Sequence, residues 1–203
     1  MALRLLVLPA AIIFNGGMPT RKPLDDLMNK AKEYAEFTMR NGGCVPPTML
    51  ALTPEGPVLY TPAGLGDASA KDSFANTARL ICAGYGAIAV VMVLESWAVF
   101  AKDGKLPDDT PPSESVDRRE FVVLMGEARG NASHSFLPIL RTDAGGFFGF
   151  GEPEVIGYDT LKGRFAEILP PKMPDKQARE MAQTLLEVMG VSKASLRPTP
   201  GRN

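Results

Sequence analysis

Ala87-Ile88-Ala89-Val90-Val91-Met92-Val93-Leu94-Glu95-Ser96-Trp97-Ala98-Val99-Phe100-Ala101 is the stretch whose reading decides the fold. It is apolar on both faces except at Glu95 and Ser96, and rich in β-branched residues. Such a run reads as the central strand of a sheet covered on both sides, or covered on one side and closed by a subunit contact on the other. Upstream, Asp67 and Ser69 can cap a helix whose face is Phe74, Ala78, Ile81, Cys82 and Tyr85. Before it, Thr48–Leu52 and Val58–Thr61 flank Thr53-Pro54-Glu55-Gly56-Pro57, the composition of a hairpin turn. Leu24, Leu27, Met28, Ala31, Tyr34, Ala35 and Thr38 recur at helical spacing, and Asn41-Gly42-Gly43 ends that run. Downstream, a loop over Lys102–Arg119 leads to Glu120–Arg129 and His134–Arg141, an expected hairpin around Gly130-Asn131 of type I′ character. Phe147–Phe150 adds a short strand. Two helices are expected to close the fold. One covers Asp159–Leu169; the other covers Asp175–Met189, with Ala178, Met181, Ala182, Leu185, Leu186 and Met189 turned inward. The order predicts a single α+β domain, a mostly antiparallel sheet with N-terminal, middle and C-terminal helices.

Composition narrows the functional classes. The 203 residues carry 22 basic and 23 acidic side chains, a formal charge of −1. That balance argues against a protein devoted to coating nucleic acid or an anionic membrane. One histidine, His134, and two cysteines, Cys44 and Cys82, leave no His/Cys-rich zinc site, iron–sulfur cluster or disulfide scaffold to build. No cofactor fingerprint and no metal-ligand motif is present. Residues 1–17 read as an apolar leader, 18–190 as the domain and 191–203 as a flexible basic tail. The leader has the outline of a secretory signal, but Asn15-Gly16-Gly17 is a poor cleavage site and the run is too short to span a bilayer. A cytoplasmic protein, with Met18 as an alternative start, is the expectation.

Glu95-Ser96-Trp97, followed by Pro111-Pro112-Ser113-Glu114-Ser115-Val116-Asp117-Arg118-Arg119-Glu120, resembles a group of uncharacterised bacterial and phage proteins. In that group an acid-small-tryptophan strand precedes a proline-serine-acid loop ending in Asp-Arg-x-Glu. The resemblance covers about Pro23–Leu169. It implies the fold outline and a choice of residues, and it carries no chemistry.

Glu95 and Glu127 are the catalytic candidates. Each is a carboxylate in an otherwise apolar strand, costly to bury unless paired or protonated. On neighbouring strands they would share a metal or a proton, or one would pair with Arg129 or Arg141. Trp97, Ser113, Asp117, Arg118 and Glu120 are the binding candidates, because a long loop beside a strand end is a frequent place for recognition. His134 lies between Ser133 and Ser135, but adjacent strand side chains point to opposite faces and no nucleophile elbow occurs. Cys82 reads as a small buried hydrophobe. Three functions compete. A non-catalytic binding or regulatory module, including one that associates with itself, rests on the missing catalytic motifs and the apolar surplus in the central strand and Phe147–Phe150. A divalent-metal-dependent, hydrolase-type enzyme would use Glu95, Asp117, Glu120 and Glu127. A phage or virion assembly component would use the leader and tail as arms. The partner would be a protein, a small molecule or a second copy, with no strong nucleic-acid signal and no membrane.

Overall fold

The computed structural model describes residues 23–99, 114–154, 163–192 and 196. The leader, Ser113 and most of the basic tail lie outside the described residues. Three helices and six strands are seen: α1 (Pro23–Gly42), β1 (Thr48–Thr53), β2 (Gly56–Tyr60), α2 (Ala68–Gly84), β3 (Ala89–Ala98), β4 (Arg119–Ala128), β5 (Asn131–Arg141), β6 (Phe147–Phe150) and α3 (Lys176–Val188). The strands form one antiparallel sheet in the order β2-β1-β3-β4-β5-β6. β3 lies inside that sheet between β1 and β4, as its two-sided hydrophobicity demands. Among the described residues, no helix is long and apolar enough to cross a membrane.

Alternation along β3 sorts the core into two clusters. Ala89, Val91 and Val93 join Val122, Leu124, Leu137 and Ile139 beneath the apolar face of α1. Val90 and Met92 turn the other way, onto Phe74, Ala78, Ile81 and Cys82 of α2. Each helix is set by its own end signals. α1 opens on Pro23 with Asp25 and Asp26 in its first turn, which suits the helix dipole. It closes where Gly43, at φ +73°, donates its amide to the Met39 carbonyl. Asp67 caps α2 and Asp175 caps α3, each accepting the amide three residues on. Gly126 lets α1 approach the sheet, since a Cβ there would lie 2.7 Å from Met28 Sδ and 2.9 Å from Leu24 Cδ1.

Four expectations need correction. The β4–β5 turn is Arg129-Gly130, one residue earlier than expected, and Gly130 alone has positive φ. A type I′ turn needs two such residues, so that turn type is absent. No helix forms over the described part of Asp159–Leu169. Residues 163–169 make a strap of turns and bends, broken by Gly163 at φ +139° and Glu167 at φ +55°. In α3 only Ala182 and Leu186 are buried, while Met181, Leu185 and Met189 face outward. The reason is location: α3 docks on α2 rather than on the sheet, and one helix covers only a narrow stripe of another. Finally, Val191 packs on the second cluster and Leu196 is buried within it, so these two residues of the expected tail belong to the core.

Candidate functional site

β3, β4 and β5 run past the end of α1, and there the α1 side of the sheet turns polar. Residues paired across strands share a face. Trp97 opposes Glu120, and Glu95 lies two residues back along β3 on the same face. Arg118 sets its guanidinium 4.4 Å from the centre of the Trp97 ring, a cation–π stack on an aromatic that is 39% exposed. Glu120 accepts a hydrogen bond from Arg141 Nε at 2.5 Å, and Arg141 Nη1 also reaches the Gly145 carbonyl. The turn before β4 is tied by the Ser115 hydroxyl, which accepts the Asp117 amide at 3.2 Å. Glu95, Trp97, Arg118 and Glu120 are therefore brought into one patch, with Asp117 just beyond its rim. Ser113 lies outside the described residues.

Glu127 does not join them. It opposes Val90 and shares the α2 face, whereas Glu95 opposes Val122 on the α1 face. The two carboxylates sit on opposite sides of the sheet, five positions apart in register. They share neither metal nor proton, which corrects the expectation that adjacency of the strands would unite them. The four-acid metal centre of Glu95, Asp117, Glu120 and Glu127 is likewise not assembled. Among the described residues, no group of three His, Cys, Asp or Glu side chains is placed to hold a metal ion.

Each of the two candidate acids holds backbone instead. Glu95 stands where β3 emerges into solvent, and its Oε2 accepts the Val45 amide at 2.8 Å. Val45 is buried between α1 and β1, outside any strand and followed by Pro46-Pro47, and this carboxylate supplies an acceptor for its amide. Glu127 grips the strap, its two oxygens accepting the amides of Ile168 (3.1 Å) and Leu169 (2.8 Å). Arg79, on α2, holds the same strap by its carbonyls, donating to those of Arg164, Ala166 and Glu167. Asp72 adds an ion pair to Arg164. A segment with no regular structure thus has its polar backbone satisfied by one acid and one base, while Ile168 and Leu169 fill the core between them. Among the described residues neither acid pairs with arginine: Arg141 is engaged by Glu120, and Arg129 directs Nη2 to the Met173 sulfur at 3.8 Å.

His134 opposes Met125 on the α2 face and meets Phe136 edge-on, while Ser133 and Ser135 point the other way, so no dyad forms. Cys82 is fully buried beside Ala78 and Ile81, and desolvation drives its thiol far above the usual range. Cys44 is exposed. Residue reading missed Arg79, and it offered Arg141 only as a partner for Glu95 or Glu127, whereas Arg141 pairs with Glu120. Arg79 binds a segment more than eighty positions away, and nothing local in α2 marks it. In comparisons with family models, with curated protein sequences and with solved structures, nothing matches the chain.

Proposed function

We propose that this protein is a non-catalytic interaction module that associates with a second copy of itself through α3. The observation that carries this reading is the outward stripe Ala178, Met181, Leu185 and Val188, joined by Met189. Val188 is 82% exposed and Met181 60%. The spacing 3-4-3 is that of a coiled-coil seam, a pattern made to receive another helix. Four large apolar side chains on one short helix also form more than the scattered exposure of an ordinary surface. Charge favours an antiparallel copy as the occupant. Lys176 and Arg179 stand in the first turn of α3, where Asp175 is the cap and Glu180 pairs with Lys176, and Glu187 stands in the last turn. An antiparallel neighbour brings Arg179 of each helix toward the end of the other that carries Glu187.

The apolar surplus elsewhere gives less support, since that of β3 is consumed by α1 and α2. The acids also favour a structural over a catalytic role, because Glu95, Glu120 and Glu127 are each engaged by backbone or arginine. Sedimentation velocity over a wide concentration range tests the reading. The full chain is expected to show a reversible monomer–dimer equilibrium, weak because a single helix pair buries less than the ~1,200–2,000 Å² of stable complexes. Leu185→Glu is expected to leave only monomer without lowering the unfolding midpoint, since that side chain is already half in water. A wild-type chain that stays monomeric at every concentration overturns the proposal.

A further inference from the structure

Arg129 occupies the β4–β5 turn and sends its side chain back over the α2 face of the sheet, toward the segment that leads into α3. Its Nε is sealed from solvent and has no hydrogen-bond partner among the described residues. Its Nη2 meets only the Met173 thioether, a weak acceptor, at 3.8 Å. Nε and Nη2 form one edge of the guanidinium, the edge that grips a carboxylate or phosphate through two parallel bonds. On this edge Nε is buried, while Nη2 faces the sulfur in a more open position. A buried donor left unmatched is costly, and native proteins rarely keep one without a use.

The surroundings match an anion. Glu127, the nearest acid along the chain, has both oxygens occupied by the strap amides. Arg179 lies near the same thioether. A Cβ built on Gly86 would stand 3.5 Å from Met173 Sδ and 3.8 Å from Arg179 Nη1. Two guanidinium groups, those of Arg129 and Arg179, therefore stand near the spot that the sulfur fills. Met173 is half exposed and unbranched, hence free to swing away. Gly86, at φ +61° and without a side chain, leaves room for that movement.

We infer that the Nε/Nη2 edge of Arg129, with Arg179 nearby, is a binding site for a phosphate-type oxyanion, and that the Met173 thioether occupies the anion's place when the site is empty. Arg129 would hold two oxygens side-on while Arg179 supplies further positive field. This inference is independent of association through α3.

The full chain, labelled with ¹⁵N, is titrated with sodium phosphate and, separately, with sodium chloride at matched ionic strength. The Arg129 Nε–H resonance and the unfolding midpoint are followed. Phosphate is expected to shift the resonance saturably and to raise the midpoint by about 3 °C at roughly tenfold excess over its dissociation constant, whereas chloride does neither. Arg129→Lys keeps the charge but lacks the fork, and is expected to weaken phosphate binding at least tenfold. Met173→Ala removes the occupant and is expected to strengthen binding severalfold. Absence of a saturable shift, an equal shift with chloride, or undiminished binding by Arg129→Lys overturns the inference. Should Arg129→Lys fold poorly, the wild-type resonance and Met173→Ala decide it alone.

Discussion

Glu95 and Glu127 look alike in the sequence, each an acid late in an apolar strand, and the structure gives them unequal work. Glu127 uses both oxygens on two amides of the strap, so Glu127→Gln must turn an NH₂ group toward one of them. Losing a charged acceptor and leaving a part-buried donor unmatched is expected to cost about 2–3 kcal/mol in chemical denaturation. Glu95 serves a single amide through one oxygen at an exposed strand end, a task a glutamine carbonyl can take over. Glu95→Gln is therefore expected to cost no more than ~1 kcal/mol, well short of a broken buried ion pair. Equal losses for the two would refute the assignment. The need for a partner was legible at both positions, because a carboxylate among Val and Met has to be satisfied. Which partner was not legible: Val45, Ile168 and Leu169 are lone amides whose want of an acceptor shows only after the chain has folded. The cysteines divide in the same way. One equivalent of a thiol reagent is expected to react in the native protein, at Cys44, and the second only on unfolding, since Cys82 is buried with its thiolate strongly disfavoured.

At the level of elements, pattern gave α1, α2 and most of the strands close to their observed limits, because local pattern and tertiary use agree there; β5 begins at Asn131, three residues before the expected His134, and the expected end of β3 at Ala101 lies outside the described residues. It failed where the partner is remote. The Met and Leu positions of α3 look like core until it is seen that α3 docks on α2 rather than on the sheet. The strap reads as helical until Arg79 and Glu127 claim its backbone. Gly126 is a further case. In the sequence it is a weak spot in β4, yet it is a place where α1 packs directly on the sheet backbone. Gly126→Val is expected to push Met28 and Leu24 aside and destabilise the fold by about 1–3 kcal/mol. The same change at Gly64, which has open space around it, is expected to cost far less. Comparison of the two denaturation midpoints checks this.

For the whole molecule, stability is expected to decline at alkaline pH. Burial raises the ionisation of Cys82, Tyr34 and Tyr60 above their ordinary values of 9.0, 10.0 and 10.0. Their contribution is therefore fully present below pH ~9 and is lost as pH rises from there toward the folded-state values, because the unfolded chain releases these protons first. Unfolding midpoints measured from pH 7 to 11 should fall beyond pH 9, and Cys82→Ala should delay the onset; a flat profile contradicts the burial of these groups. The strand order has another consequence, one of time rather than space. β4 and β5 are joined by two residues, so their pairing closes a very small loop at little entropic cost. β1 must instead find β3 across the whole of β2 and α2. Contacts of the first kind form early and those of the second late. The centre of the finished sheet is thus a seam between a half that assembles almost by proximity and a half that must be delivered, with β3 as the template on which the later half is read.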